Sequence, residues 1–280
     1  LARVRHDAAV HLARIDDDHA VLLEPESHLP RADVMVDAIT TQARLDGPGT
    51  RVALDKVQLL APVRRPGKII AIGLNYADHA GESAMELPKA PLIFSKPSSA
   101  IVGPGQPVRW ATADCQEADY EAELAVIIGR TATGAIVDPL DHIFGYTCCN
   151  DFSSRDAQFG DGQWVRGKSF DTFCPLGPWI VTPDEFGDPQ DHTIGIDVTD
   201  PAGVTARLQD GHTGNMIFGV AEIITYVARF ITLEPGDVIA TGTPDGVGFA
   251  RKPPRYMGNG DVMTVWIDGI GELTNPCVVD

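Results

Sequence analysis

Two glutamates, Glu121 and Glu123, open an apolar run of β type. On a strand, residues two apart point to the same face, so both carboxylates would project together. A solvated strand face is one interpretation. Because Ala125 and Ile127 continue that face with apolar side chains, the pattern also indicates a cleft edge, where hard oxygen ligands suit Mg²⁺ or Mn²⁺. Asp151, which follows another apolar run, is a candidate third ligand.

A second pair, His79 and Glu82, has the spacing that places both side chains on one face of a helical turn. An imidazole oriented by a carboxylate is a general base poised near neutral pH. A surface pair on a polar turn is the alternative interpretation. Gly81, Pro88 and Pro91 suit a segment that moves as a lid.

Two further motifs have a simple structural interpretation beside a functional one. Residues 162–169 match the Walker A pattern, but nucleotide binding through that pattern needs a strand before the loop and a helix after it. Here 154–159 does not read as a strand, and Pro175 would end a following helix early, so a P-loop stays a remote alternative. The segment 241–248 predicts a tight turn, whose N–H groups and Thr243 would also suit a small anion nest.

The elements that must position these residues are mostly strands. Short β-type runs separated by turn signals occur at 68–73, 124–129, 193–198, 237–241 and 262–267. An apolar period of three and four residues predicts one helix over 213–231, with Thr213 as its N-cap. Since no strict βαβ alternation appears, we predict an α+β fold that is mainly β.

The first sixty residues differ from the rest of the chain. They predict two strands around an acidic turn at 16–18 and a short helix over 32–45. A Pro- and Arg-containing stretch at 59–67 reads as a linker. We therefore predict a small N-terminal α+β domain over 1–63 and a catalytic domain over 64–280.

Composition excludes several classes of function. With 22 basic and 39 acidic residues the net charge is −17, which disfavours nucleic-acid binding. The five cysteines form no C-x-x-C pair, so a disulfide framework or a structural zinc site is not expected, and a reducing cytoplasm fits better. No apolar run approaches the roughly 18 residues of a membrane span, so no membrane partner is expected.

The motifs, read in order from Lys68 to Cys277, resemble the fumarylacetoacetate hydrolase family. The resemblance is carried by Ile-Ala-Ile-Gly-Leu-Asn-Tyr-Ala-Asp-His at 70–79, Phe-Ser-Lys-Pro at 94–97, Asp-Tyr-Glu-Ala-Glu-Leu at 119–124, Asn-Asp-Phe-Ser-Ser-Arg-Asp at 150–156, Lys-Ser at 168–169 and Gly-Thr-Pro-Asp-Gly-Val-Gly at 242–248. Each motif is weak alone, and their ordered combination is specific. The resemblance implies a mixed β-roll catalytic domain behind the small N-terminal domain, and a homodimer.

The resemblance also assigns residues to roles. It implies that Mg²⁺ or Mn²⁺ is bound by Glu121, Glu123 and Asp151. It implies catalytic roles for His79, Glu82 and Lys168, with the first two forming a dyad on a lid that orders over substrate. It implies substrate contacts for Arg155, Gln158, Thr243 and Lys96.

The implied activity is hydrolysis of a C–C bond in an acylpyruvate-type acid (2,4-dioxo or fumarylpyruvate-like), a reaction type of aromatic catabolism. The cation would chelate this 2-oxo acid and stabilise the enolate formed as the bond breaks. Decarboxylation of an oxaloacetate-type acid, isomerisation of a hydroxymuconate-type diene and ligand binding without turnover remain alternatives. Phe152 and Ser154 stand where relatives more often carry Val-Thr-Ala or Val-Ser-Ala between Asp and Arg, and we expect them to reshape the pocket beside the metal.

Overall fold

Strands form most of the regular secondary structure. The structure is a computed structural model, and it describes residues 1–25, 33–41, 48–78 and 87–280. The strands are β1 (Ala2–His6), β2 (Ala9–Asp16), β3 (His19–Pro25), β4 (Thr50–Ala53), β5 (Gln58–Leu60), β6 (Ile69–Gly73), β7 (Leu92–Lys96), β8 (Ile101–Val102), β9 (Val108–Trp110), β10 (Ala118–Asp119), β11 (Ala122–Ile128), β12 (Ile143–Asn150), β13 (Ser153–Ser154), β14 (Cys174–Val181), β15 (Thr193–Thr199), β16 (Thr205–His212), β17 (Val238–Ala240), β18 (Val262–Ile267) and β19 (Gly271–Val279). The helices are α1 (Val34–Thr41), α2 (Arg155–Asp161), α3 (Pro183–Phe186) and α4 (Val220–Ala228). The predicted class, α+β and mainly β, is confirmed.

A seven-stranded sheet in the order β7-β6-β17-β11-β12-β14-β8 forms the centre of the catalytic region. All seven residues of β11 are buried, as expected for an apolar run covered on both faces. β11 and β12 run antiparallel, with Ala122 opposite Asn150 and Ile127 opposite Gly145. This register brings the start of β11 and the end of β12 to the same edge of the sheet.

A five-stranded sheet in the order β16-β15-β18-β19-β9 packs against this central sheet. Burial alternates along β18, which shows that this sheet has one face in the core and one face turned outward. Ile196 of β15 and Val265 of β18 belong to the same core cluster as Val126 of β11. The two sheets therefore share one core behind the β11–β12 edge.

The N-terminal residues form their own five-stranded sheet, in the order β4-β3-β2-β1-β5. The main chains of Leu1 and Ile180 exchange hydrogen bonds of 2.6 and 2.7 Å, which attach this sheet to β14. Met35 and Ile39 of α1 pack in one cluster with Ile69 of the central sheet. The predicted strands around the acidic turn are confirmed, and the domain boundary between 63 and 64 stays a prediction.

The helix predicted over 213–231 is shorter than expected. Residues 213–215 form a single 3₁₀ turn, and α4 begins only at Val220, after Gly219 as its N-cap. Asn75 explains the interruption, because its main-chain oxygen accepts from Ile217 N at 2.7 Å and its Oδ1 accepts from Phe218 N at 2.8 Å. These tertiary hydrogen bonds keep 216–218 out of the helix despite its helical period. None of the helices in the described ranges is long and apolar enough to cross a membrane.

Candidate active site

Three buried carboxylates meet at the β11–β12 edge. Glu121 and Glu123 flank the first residue of β11, and Asp151 follows the last residue of β12. Two hydrogen bonds fix this edge: Asp151 N donates to Glu121 O at 2.9 Å, and Glu121 N donates to Asn150 Oδ1 at 3.0 Å. One oxygen atom from each of the three carboxylates lies within 4.8 Å of the others.

Three buried cations surround two of these carboxylates. Lys96, the last residue of β7, places its Nζ 2.6 Å from Asp151 Oδ1. The Nζ of Lys168 lies 2.7 Å from Glu121 Oε2 and 2.8 Å from Asp151 Oδ2. Arg155 Nη1 lies 2.7 Å from Glu121 Oε1. Burial alone would lower the pKa of Lys168, but Asp151 and Glu121 outweigh it, so the pKa is raised and the ammonium stays charged.

Glu123 differs from the other two carboxylates. It forms no ion pair with a described residue, and its Oε2 accepts one backbone hydrogen bond, from Gly242 N at 2.9 Å. Burial raises the pKa of Glu123 well above its ordinary value, and the nearby charges of Asp151 and Glu121 raise it further. The charge of Lys168 and the hydrogen bond from Gly242 offset this rise of the pKa only in part, so Glu123 is the least compensated of the three carboxylates.

The donor set fits a divalent cation. In an octahedral site with oxygen atoms at about 2.1 Å from the ion, adjacent ligand oxygens are about 3 Å apart and opposite ones about 4 Å apart. The observed limit of 4.8 Å is compatible with that geometry after small adjustments. Glu121, Glu123 and Asp151 offer hard oxygen atoms, and an added cation would complete the charge compensation of Glu123.

The guanidinium of Arg155, the first residue of α2, is held on almost every side. Its Nη1 donates to Gln158 Oε1 at 2.9 Å as well as contacting Glu121, and the ring of Phe249 stacks 4.5 Å from its Cζ. Burial would lower the pKa of Arg155, but Asp119 and Glu121 dominate and raise it. Nη2 is buried and has no hydrogen-bond partner in the described parts of the chain, so it is available to a ligand.

Asp119 orients this arginine, a role that the sequence interpretation did not assign. Its Oδ2 accepts from Arg155 Nε at 2.8 Å and from Phe249 N at 3.1 Å, and its Oδ1 accepts from Gly248 N at 2.7 Å. Asp119 therefore ties α2 to the loop that carries Phe249. The sequence did offer a sign of this role, because Asp119 stands two residues before Glu121 and that spacing places it near the same sheet edge.

The turn at 241–248 forms the opposite side of the site. Gly242 has φ +97°, and a Cβ there would lie 2.7 Å from the Cβ of Asn75, so only glycine fits. The N–H groups of Gly242 and Gly248 donate to the carboxylates of Glu123 and Asp119. These two donors are therefore not free to form the anion nest that the sequence suggested. The side chain of Thr243 lines the pocket, and its Oγ1 accepts from Gln209 Nε2 at 2.8 Å. Gln209, on β16, was also missed by the sequence interpretation.

The pocket above the carboxylates has a charged floor and apolar walls. Glu121, Glu123, Arg155, Gln158, Lys168 and Thr243 form the polar part of the lining. Phe94 and Trp164 contribute a wall in which their ring centroids are 5.5 Å apart. Six residues predicted from sequence thus line a single pocket, and Asp151 and Lys96 are buried beside it.

The expectation that Phe152 and Ser154 reshape this pocket is wrong. Phe152 is fully buried and packs in an aromatic cluster with Trp110 and Phe173, at centroid distances of 5.5 and 4.8 Å. Ser154 is the N-cap of α2, where its Oγ accepts from Ala157 N. Neither side chain lines the pocket, because Phe152 packs into the core and Ser154 caps α2.

The Walker A match at 162–169 has no P-loop geometry. A helix, α2, precedes it, and the strand β14 comes next in the chain after it, which reverses the order that phosphate binding needs. Lys168 of this match is bound to Glu121 and Asp151 instead.

The proposed dyad of His79 and Glu82, with its lid, lies outside the described residues. The chain before it is anchored beside the pocket. Asn75 Nδ2 donates to Thr241 O at 2.7 Å, and Leu74 lines the pocket.

Comparisons with known proteins agree with this arrangement. The family model described as fumarylacetoacetate (FAA) hydrolase C-terminal matches residues 68–278. The chain is 44% identical over 243 residues to the mitochondrial oxaloacetate tautomerase fahd2 of Xenopus laevis, an alignment that covers 85% of this chain and 74% of that protein. It is 46% identical over 213 residues to 2,4-didehydro-3-deoxy-L-rhamnonate hydrolase of a Sphingomonas species, covering 75% of this chain and 73% of the other.

The fold has a similar solved counterpart. The structure of fumarylacetoacetate hydrolase from psychrophilic Exiguobacterium antarcticum superposes with a TM-score of 0.84 at 39% identity, and the match covers 100% of this chain and 99% of that one.

Proposed function

The chain belongs to the fumarylacetoacetate hydrolase family, whose members are enzymes, and we propose that it is a divalent-metal-dependent hydrolase of acylpyruvate-type 2-oxo acids. The observation that carries the proposal is the buried group of Glu121, Glu123 and Asp151 on the floor of a pocket with unused hydrogen-bond donors. Hydrolase names among the relatives support this reaction type.

Mg²⁺ or Mn²⁺ is the proposed cofactor, held by those three carboxylates. When bound, the cation supplies Lewis acidity toward the oxygen atoms of a 2-oxo carboxylate and favours negative charge on the enol oxygen. Lys168 and Lys96 keep the carboxylates in place, because each ammonium contacts Asp151 and is itself buried.

Arg155 and Thr243 are the proposed substrate contacts nearest to the floor. The free Nη2 of Arg155 can donate to a substrate oxygen, while its other nitrogens are held by Asp119, Glu121 and Gln158. A preorganised donor of this kind stabilises charge that develops during reaction without a cost of reorienting. The apolar wall of Phe94 and Trp164 suits the acyl part of the substrate.

His79 is the proposed general base, with Glu82 as the carboxylate that orients it. His79 would take a proton from water as that water attacks the distal carbonyl of the substrate. The electron pair of the broken C–C bond passes to the pyruvate part as an enolate, which is then protonated. The products are a carboxylic acid and pyruvate.

A second candidate function is keto–enol exchange or decarboxylation of an oxaloacetate-type acid. The observation that favours it is the set of relatives named oxaloacetate tautomerase, such as the Xenopus laevis protein. This second function shares the enolate with the proposed hydrolysis, but it needs no water molecule to attack the substrate. Isomerisation of a hydroxymuconate-type diene, a third alternative, also passes through a dienolate.

A product panel separates these functions. The purified protein is incubated with acetylpyruvate, oxaloacetate or a hydroxymuconate analogue, with Mg²⁺, with Mn²⁺ or with EDTA, and products are followed by NMR. We expect acetate and pyruvate from acetylpyruvate, lost with EDTA and restored by either cation. Turnover of oxaloacetate alone would replace the hydrolase proposal with the second function. Absence of turnover on every substrate would leave a ligand-binding protein.

A further inference from the structure

Gln209 connects the strand of metal ligands to the substrate pocket. It lies on β16, where it is 1% exposed although most residues of that strand are exposed or half-buried. Its Oε1 accepts from Ala122 N at 2.9 Å, between Glu121 and Glu123 in the chain. Its Nε2 donates to Thr243 Oγ1 at 2.8 Å and to Pro244 O at 2.9 Å.

These partners leave one orientation for the Gln209 amide. A main-chain N–H can only donate, so the atom facing Ala122 N must be the oxygen. A main-chain carbonyl can only accept, so the atom facing Pro244 O must be the nitrogen. The usual ambiguity between the two ends of an amide is therefore removed by chemistry on both sides.

The orientation of Gln209 determines the polarity of the Thr243 hydroxyl. Because the Gln209 nitrogen can only donate, Thr243 Oγ1 accepts in that bond, and its single proton points elsewhere. Thr243 lines the pocket with Glu121 and Glu123, is 3% exposed, and donates to no acceptor among the described residues. The hydroxyl proton is thus available to an atom of a bound molecule.

We propose that Gln209 is a positioning residue that holds the Thr243 hydroxyl as a hydrogen-bond donor to an oxygen of the bound acid. This inference rests on the proposed function and deepens it. The substrate atom at Thr243 must be an acceptor, namely a carboxylate, keto or enolate oxygen. A substrate that presents only donors there, such as an ammonium group, would face a second donor and bind poorly.

A double-mutant cycle tests the coupling between the two residues. The probe is oxalate, and its dissociation constant is measured by calorimetry with the Mn²⁺-loaded protein. Gln209→Glu keeps an acceptor for Ala122 N but turns the donor facing Thr243 into an acceptor. We expect it to weaken oxalate binding by about 10–100-fold, the value of a hydrogen bond to a charged group. In a Thr243→Val background the added charge and the lost hydrogen bond to Pro244 O still act, but the contribution through Thr243 is gone, so the loss should shrink by about tenfold.

Gln209→Met repeats the cycle without a charge change and serves if the glutamate variant does not fold. It should weaken oxalate binding more in the wild-type background than in the Thr243→Val background, and Thr243→Ser should bind within a few fold of wild type. Gln190→Glu is the matched control, because Gln190 also donates to a carbonyl, Thr213 O, and accepts from a main-chain N–H, that of Val220. We expect no change in oxalate affinity for this control.

The outcomes separate the inference from the function on which it rests. If each Gln209 variant weakens oxalate binding by the same factor in the wild-type and Thr243→Val backgrounds, Gln209 does not act through Thr243. That result would overturn the inference and leave the proposed function untouched. Failure of the wild-type protein to bind oxalate with Mn²⁺ would overturn the proposed function, and the role of Gln209 with it. Shrinkage of the loss in the Thr243→Val background would support the inference.

Discussion

Asp237 and Glu123 are both buried carboxylates on the central sheet, yet their surroundings differ. Asp237, which directly precedes β17, accepts from Lys68 N at 2.9 Å and Glu234 N at 2.7 Å, and it also contacts the Lys68 ammonium. Glu123 accepts a single backbone hydrogen bond and forms no ion pair with a described residue. Burial itself therefore does not mark a functional carboxylate, because Asp237 is explained by its donors. Glu123 has fewer donors and no direct ion pair, and this incomplete compensation is what we expect of a cation ligand.

The largest effect is expected for Asp151→Ala, which removes a proposed metal ligand and the partner of two buried ammonium groups. Turnover should fall below detection in the presence of Mg²⁺ or Mn²⁺. Lys96 would lose its ion-pair partner and Lys168 would keep only Glu121, which should also lower the free energy of unfolding by about 3–5 kcal/mol. Urea unfolding and a continuous assay measure the two effects. Full stability of this variant would show that the Lys96 contact, at 2.6 Å, contributes little.

Glu123→Gln should separate function from stability. Mn²⁺ binding, followed by electron paramagnetic resonance, should be lost, and turnover with it. The free energy of unfolding of the metal-free protein should stay level or rise by about 1 kcal/mol, since a poorly compensated buried acid is replaced by a neutral amide.

Asp237→Asn is the matched control for that variant. It should lower the free energy of unfolding by about 1–3 kcal/mol, because a charged acceptor of several donors is lost, and leave Mn²⁺ affinity unchanged. If Asp237→Asn lost Mn²⁺ binding and Glu123→Gln lost only stability, the distinction between a structural carboxylate and a ligand carboxylate would be contradicted.

His79→Ala tests the part of the site that rests on sequence alone. Hydrolysis should slow by roughly 10²–10⁴-fold, the usual contribution of a general base, and Glu82→Gln should cause a milder loss. Oxalate affinity should barely change, because oxalate would be held mainly by the metal with Lys168 and Thr243. Full hydrolytic rate in His79→Ala would assign water activation to another group.

The smallest effect is a pH dependence of the metal-free protein. The raised pKa of Glu123 means that the folded state keeps a proton which the unfolded state releases above about pH 4.3. The free energy of unfolding should therefore fall as pH rises from that value toward the folded pKa, by at most about 1.4 kcal/mol per pH unit. Unfolding series in EDTA should show a flatter profile for Glu123→Gln. Mn²⁺ affinity should rise over the same range as the proton is released.

Much of the fold followed from local patterns in the sequence. The strands around the acidic turn at 16–18 and the core strands β6, β11, β15, β17 and β18 were placed correctly, because short apolar runs of β type and the turn residues that bound them are local signals. The helix predicted from Thr213 failed for a tertiary reason. Hydrogen bonds to Asn75 override the helical period of 216–218, and no local signal reports a partner 143 residues away.

In the site, the spacing of Glu121 and Glu123 was enough to predict that they share one face, since strand geometry repeats every second residue. The contacts of Lys96 with Asp151, 55 residues away, and of Gln209 with Thr243, 34 residues away, arise from the packing of distant strands. Tertiary packing also places Phe152 in the core and keeps it out of the pocket. The physical reason is range: backbone periodicity extends over a few residues, whereas such contacts exist only once strands distant in sequence have paired and packed.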